Sequence, residues 1–308
     1  MIAVRRLTPD SILGEIARVV GEHSLLASSP FSDVWATLGG RLVFWVADEN
    51  GSIVAVLTGV EFGRNPFARF QSMPDGLPST LHFVNDMCDK AHLASQILDG
   101  VALHGYVKLF VTDFDNSLPP HSTFERRQLS THVVDISNPA YEPSDKTLMS
   151  EIRKAERDKT AVERFDWSQH GSRFIDLVTL SETRHGRLPK YPARFFQQLA
   201  IVASRDSRIV WTWCEHDGKP VASHIYFVSG SNAINWQIYY DKEFSALKAN
   251  QLTTWNVIAD LRSRGVTHLN LGASPDTAEG LVVYKSKWNA VEYSYSMLEK
   301  KTWLGKLW

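Results

Sequence analysis

Apolar residues recur along this chain with two periods, and the change from one to the other marks its elements. After Thr8-Pro9-Asp10, apolar residues stand at Ile12, Leu13, Ile16, Val19 and Val20. That three-and-four spacing predicts a helix with one buried face. SDVWATLGG predicts a second, short helix with Ser32 as N-cap and a glycine pair as its stop. The pattern then turns strand-like. LVFWVADENGSIVAVLTGVEF reads as two strands joined at Glu49-Asn50-Gly51, since Asn-Gly accepts the left-handed backbone of a tight hairpin. A proline-rich loop follows around PFARFQSMPDGLPST. Then come a helix over HFVNDMCDKAHLASQILDGVALHG, a strand at VKLFVTDF and a strand at THVVDI.

SNPAYEPSDK, residues 137–146, has two prolines and no periodicity. It predicts a boundary, with one domain over residues 1–140 and a second over 141–308 whose last residues pack back on the first. Beyond it TLMSEIRKAERDK, WSQHGSRFIDLVTLSETRHG and PARFFQQLAIVAS read as helices. RIVWTWCEHDGKPVASHIYFVSGSNAINWQIYYD reads as a three-stranded meander. A helix, SALKANQLTTWNVIADLRSRG, ends at Gly265. THLNLGAS and VEYSYSML are the last strands. The class is α+β. Both halves show helices first, an antiparallel meander, a helix and a strand. No residue-level repeat is visible, so duplication is inferred from element order alone.

Composition narrows the class further. The 308 residues are 44% hydrophobic and 22% charged, with net charge −1. Such a chain buries a core without staples and carries no global basic field. Two cysteines, Cys88 and Cys214, make no disulfide framework or zinc set. The first twenty residues do not read as a signal peptide, and no run approaches the ~20 apolar residues of a membrane span. The reading is cytoplasmic. His82, His92 and His104 lack ligand spacing, and there is no HExxH, G-x-S-x-G or P-loop. Metal-dependent and serine-hydrolase chemistry are not expected.

The candidate residues lie in the second half. GLVVYKSKWNA holds Lys285 and Lys287 between Tyr284 and Trp288, behind an apolar, strand-like run. It is either a surface turn or a place where a cation is held against ring faces. In an extended segment the two lysines share a face; in a helix they diverge. Arg184 and Arg187 close a helix, where they either read a phosphate or carboxylate or offset the helix dipole. By alternation Trp236 and Tyr240 share one face of their strand and Tyr239 takes the other. Tyr240 either donates a proton or packs in the core. Asn250 either binds substrate through its amide or caps its helix. Lys248 either meets a phosphate or stays solvated. Arg153, Lys154 and Arg157, on a mixed-charge helix with Lys159, either contact tRNA or an anionic surface or form a solvated face. The tail KKTWLGKLW either lies at a membrane interface or docks on the body.

In order and content these segments resemble the GNAT acyltransferases, and in tandem arrangement the FemABX-like and CelD-like branch. SPFSDVWATL, EIRKAER, TRHGRLPKYPARFF, DGKPVAS, ANQLTTW and GLVVYKSKWNA are each similar to a family segment, in the family's order. The sequence departs from the family where paired arginines become Met149 and Ser150, where the phenylalanine before the lysine is Tyr284, and where Phe-Gly becomes Trp288-Asn289. The resemblance implies two tandem GNAT-like domains, each a mixed, mostly antiparallel sheet flanked by helices. It implies transfer of an acyl or aminoacyl group to an amine, the acceptor being a cell-envelope or polysaccharide precursor. It assigns Lys285 to the oxyanion, Tyr240 to the strand end that carries the acyl group, and Arg184 to acceptor phosphate. Trp236, Asn250, Tyr284 and Trp288 line the site. A GNAT domain that uses coenzyme A places its pyrophosphate on a Gly-rich helix start. The matching EFSALKANQ contains no glycine, which fits a donor other than coenzyme A. No tightly bound cofactor is expected. The donor is a cosubstrate, aminoacyl-tRNA or, in the alternative N-acyltransferase reading, acyl-CoA or an acyl-carrier protein, and a non-catalytic binding or scaffold role is the remaining alternative.

Overall fold

The computed structural model describes residues 2–11, 20, 25, 29–72, 81–84, 89–158, 160–274 and 279–306. The helix expected over Ile12–Val20, Cys88, Lys159 and the last two residues of the tail fall on or across positions outside the described residues. The chain divides into two compact units, Met1–Ser130 with Ser294–Trp308, and Thr131–Tyr293.

The first unit grows from the Asn-Gly hairpin. Asn50 and Gly51 both have positive φ, 54° and 87°, the backbone that lets two twisted strands meet in a two-residue turn. The strands are β2 (Gly40–Glu49) and β3 (Ser52–Phe62). β1 (Ile2–Leu7) pairs with β2, a strand the hydrophobic pattern did not announce. A short helix, α1 (Ser32–Ala36), is preceded by Phe31 as N-cap, with no side-chain cap bond. Ser32 is therefore the first residue of the helix and not its cap. The proline-rich loop contains β4 (Arg69–Ser72), antiparallel to β3. Gly59 is required there, since a Cβ on it would stand 2.3 Å from the Phe70 ring. The helix predicted from residue 82 is shorter than its pattern. β5 (Leu81–Phe83) takes its start, and α2 (Lys90–Leu103) begins after Asp89, whose carboxylate accepts from the His92 N–H at 3.0 Å. α2 packs Leu93, Ile97, Leu98 and Val101 against Val43, Trp45, Leu57 and Phe70. β6 (Lys108–Asp113) runs parallel to β4, and β13 (Val291–Lys301) runs antiparallel to β6. The tail begins with α8 (Trp303–Lys306), fastened to this unit where Thr302 N–H donates to the Val107 carbonyl.

The second unit repeats the strand–helix–strand step with different side chains. α3 (Lys146–Arg157) is capped by Asp145, which accepts from Leu148 N–H at 2.7 Å. β8 (Ala161–Arg164) leads into α4 (Trp167–Arg184) and α5 (Ala193–Ala203). The meander is β9 (Ile209–His216), β10 (Lys219–Ser229) and β11 (Asn232–Tyr240). Its first turn uses Asp217 and Gly218 at φ 50° and 73°. α6 (Ala249–Ser263) then leads to β12 (His268–Asn270), parallel to β11, and α7 (Glu279–Ser286) follows. The strand order is β7-β12-β11-β10-β9-β8, where β7 is Glu125–Asp135. Leu148 and Ile152 of α3 share one core with Val257, Ile258 and Leu261 of α6.

Two features of this sheet shape the site. β11 pairs with β12 only over Asn232–Ile234, so residues 235–240 carry on past the end of their parallel neighbour. β11 also holds a bulge: Ile225 pairs with Gln237 and Tyr226 with Asn235, which leaves Trp236 as an extra residue.

Candidate active site

GLVVYKSKWNA is helical, not extended. α7 covers Glu279–Ser286, and Leu281, Val282 and Val283 are exposed on it. The helix separates the two lysines. Lys285 is buried and Lys287 is half-buried. Local preference for a strand, from two adjacent valines, yields here to tertiary packing of Tyr284, Lys285 and Trp288. Tyr284 and Trp288, one helical turn apart, pack edge to face with ring centroids at 6.3 Å. They wall one another and not the cation. The Lys285 ammonium is held by oxygens: Gly272 O at 2.6 Å, Ala273 O at 2.9 Å and Ser274 Oγ at 2.9 Å. An ammonium has three donors, and all three are used on the loop that leaves β12. Among the described residues no carboxylate pairs with it. Burial pulls its pKa down to about 8. His132 of β7, also buried and with an unpartnered Nδ1, is held below its ordinary value by burial and then by the Lys285 charge.

The bulge overturns the alternation expected along β11. One extra residue reverses the phase of everything beyond it. Trp236 packs with Tyr191 and Phe195, and Tyr239 with Phe174 and Phe196, so both face α4 and α5. Tyr240 packs instead with the cluster of Cys214, Ala222 and Ala249. Arg184, the last residue of α4, lays its guanidinium over the Tyr240 ring at 4.1 Å and donates to the Tyr240 carbonyl at 3.3 Å. Arg187 instead pairs with Glu182.

At the start of α6, Lys248 adopts a left-handed backbone (φ 58°) without a side-chain cap. Its ammonium pairs with Glu151 Oε1 at 2.8 Å, and Gln251 Nε2 donates to Glu151 Oε2 at 3.3 Å. A carboxylate from α3 therefore sits beside the helix start and takes up the Lys248 ammonium. Arg153 and Arg157 are exposed on α3, while Lys154 reaches the Ala246 carbonyl at 3.1 Å.

Asn250 neither stands alone nor caps the helix. Its Oδ1 lies 2.9 Å from Nε2 of His224, a fully buried residue of β10. His224 Nδ1 lies 2.9 Å from the Tyr226 hydroxyl. Tyr226 continues to Thr254 Oγ1 at 3.5 Å, and Thr254 to the Tyr284 hydroxyl at 3.5 Å. Burial lowers the His224 pKa to about 4, partly opposed by the Asn250 bond, so the imidazole is neutral.

The structure thus links Asn250 to Tyr284 through one buried polar chain, with the Trp288 ring packed on Tyr284, and joins Arg184 to Tyr240 in a second group. Lys285 follows Tyr284 but points to the loop after β12. Trp236 belongs to an aromatic layer. Sequence reasoning missed His224, Tyr226, Glu151 and His132. The spacing of His224 and Tyr226 on one strand face was the only available signal, because burial of a histidine is a tertiary property. Two depressions of about 490 Å³ and 620 Å³ are lined by Asp135, Tyr141 and Glu292, and by Trp167, His170 and Trp211. Neither is lined by a predicted site residue. Among the described residues no acidic, histidine or cysteine group is arranged to hold a metal, and no helix is long and apolar enough to cross a membrane.

Residues 144–286 match the family model described as "Acetyltransferase (GNAT) domain". No curated protein sequence matches the chain. Among solved structures, the chain is similar to FemX, at TM-score 0.70 and 12% identity over 96% of each chain. It is similar to the C-terminal domain of a putative lysylphosphatidylglycerol synthetase from Agrobacterium fabrum, at 0.59 and 13% over 94% of each. It is also similar to a tandem GNAT protein from the clavulanic acid biosynthesis pathway, at 0.55 and 12% over 97% of this chain and 98% of that one. At these identities the structural likeness is one of fold.

Proposed function

An acyltransferase with a GNAT domain at residues 144–286, this chain, we propose, moves an aminoacyl group from aminoacyl-tRNA to the amine of a cell-envelope precursor. The observation that carries this reading is the start of α6. A pyrophosphate is attracted to a helix N-terminus by free N–H groups, a close-lying glycine backbone and the dipole. Here the segment is glycine-free, Lys248 is committed to Glu151, and the Glu151 carboxylate would repel the phosphates. An aminoacyl ester needs no such cradle. The likeness to a domain named for lysylphosphatidylglycerol synthesis supports an aminoacyl product and an envelope acceptor. The exposed Arg153 and Arg157 supply cations for the RNA backbone.

In this mechanism the donor carbonyl lies along β11 beyond Ile234. The acceptor amine attacks it, the C–N bond forms and the ester C–O bond breaks. The leaving ribose oxygen takes the proton the amine loses. Lys285 meets the charge on the tetrahedral oxygen by turning one N–H away from Ser274 Oγ, the partner whose side chain rotates most freely. Arg184 addresses the acceptor's phosphate.

The purified chain, incubated with an amine-bearing muropeptide precursor and either charged tRNA or acetyl-CoA, tests this by mass spectrometry. An aminoacylated product from charged tRNA is expected. An acetylated product formed with acetyl-CoA, and none with charged tRNA, overturns the donor assignment.

A further inference from the structure

We infer that His224 is a positioning residue: it fixes the side-chain amide of Asn250 so that its NH2 group, and not its carbonyl, is offered to an acceptor oxygen of the acyl donor. The inference rests on the reading of the chain as an acyltransferase. It is carried by the order of hydrogen bonds inside the second unit.

His224 lies on β10 with no exposure and Tyr226 beside it is equally buried, while Asn250 is half-buried in the first turn of α6. A polar side chain this deep costs free energy unless its bonds are made. Both ring nitrogens are engaged, Nε2 with Asn250 Oδ1 and Nδ1 with the Tyr226 hydroxyl, each at 2.9 Å. A neutral imidazole has one donor and one acceptor. Since Asn250 Oδ1 only accepts, Nε2 carries the hydrogen, and Nδ1 accepts from Tyr226 O–H. Tyr226 then accepts from Thr254, and Thr254 from Tyr284. Every donor in the chain points one way, from α7 through α6 to β10 and back to the start of α6.

The polarity has a consequence at the outer end. With Oδ1 committed to His224, Asn250 keeps its two N–H donors for what arrives beside β11. The reversed polarity would present a carbonyl and repel a donor's carbonyl or phosphoryl oxygen. A buried chain decides this better than a solvated one, because water would satisfy either orientation at similar cost. The same chain ends on Tyr284, next to Lys285, so the residue that meets the donor and the helix that carries the cation are fixed by one network.

The test uses the full chain and two readouts. Long-range 1H–15N spectra of 15N-histidine protein, with His224 assigned by its loss in His224→Gln, are expected to show the Nε2–H tautomer at pH 7. In transfer kinetics with the donor varied, a glutamine amide nitrogen can replace Nε2 and an asparagine only Nδ1. His224→Gln is expected to keep donor KM within about threefold, and His224→Asn to raise it about tenfold, with kcat within about threefold in both. Asn250→Asp, which still accepts from His224 but offers an anionic oxygen outward, is expected to raise donor KM by tenfold or more. An Nδ1–H tautomer, equal effects of the two His224 variants, or an unchanged donor KM in Asn250→Asp overturns the inference. If His224→Asn does not fold, the half-buried Asn250→Asp position carries the kinetic test alone. If the wild-type chain transfers from neither charged tRNA nor acetyl-CoA, the functional reading fails. The nitrogen spectrum then still decides the tautomer, Nε2–H sustaining the positioning and Nδ1–H ending it.

Discussion

Each unit buries a charged side chain, Glu61 on β3 and Lys285 on α7, and the two are satisfied in opposite ways. In the first unit Glu61 is buried among Arg6, Arg41 and Tyr106. Arg6 Nε donates at 3.0 Å and the Tyr106 hydroxyl at 2.9 Å, and Arg41 completes an ion pair. Burial pushes the Glu61 carboxyl up, but the Tyr106 hydrogen bond and the two guanidinium groups outweigh it and hold it below its usual value. In the second unit Lys285 is equally buried but met only by neutral oxygens, and burial alone sets its shift, down to about 8. A buried charge with its counter-charges in place is a closed account of electrostatics. A buried cation held only by neutral oxygens retains attraction for an anion from outside, or for charge that develops in a reaction. That contrast, more than the presence of a lysine, is the reason the proposed chemistry is assigned to the second unit.

The strongest way to break the comparison is to remove each charge in turn. Lys285→Ala is expected to lower kcat/KM about 100-fold or more, read in the aminoacyl-transfer assay. An effect below threefold would leave Lys285 as a loop fastener only. Glu61→Gln should instead cost about 2 kcal/mol in urea unfolding, from charge-assisted hydrogen bonds lost, with activity per folded molecule unchanged.

A pH series sharpens the contrast further. The ammonium is the active form, so kcat/KM should fall about tenfold per unit above pH 8 if Lys285 carries the oxyanion, and Lys285→Arg should move that limb upward. Stability should run the other way. The folded-state pKa lies below the ordinary 10.5, so between about pH 8 and 10.5 the unfolded chain binds more protons. Lys285 therefore adds stability as pH rises through that window, and Lys285→Met should lose this slope in unfolding measured across it. Smaller effects come from the solvent side of each cluster. Arg41→Ala should cost below about 1 kcal/mol, because its side chain is 60% exposed. Lys287→Ala should leave kcat/KM within about twofold, since nothing in the buried network contacts its ammonium.

Much of the fold was legible because its signals are local. Asn50-Gly51 announces its hairpin, and His216-Asp217-Gly218 the first turn of the meander, by needing a positive φ. The α3, α4 and α6 helices follow from spacing of three and four. The same locality explains the errors. β1 and β4 are short, and each becomes a strand only because a neighbour supplies the ladder. Of the site, Lys285, Tyr240, Arg184 and Asn250 were nameable from segment resemblance, but their companions were not. Glu151 reaches Lys248 and Gln251 across about a hundred residues of sequence, and no spacing rule spans that.

By itself, then, the sequence determined the class, the hairpins, most of the helices and the residues worth testing, because turns, capping and amphipathic spacing depend on side chains within a few positions. Only the tertiary structure decided that GLVVYKSKWNA is a helix that buries one lysine and leaves its neighbour half-exposed. It alone turned Trp236 to the side of Tyr239 through one unpaired residue, and joined His224 to Asn250. Each of these is set by which partner strand or helix lies opposite, and the free energy that chooses among them is burial and hydrogen bonding over distances in space that the chain does not record in its order.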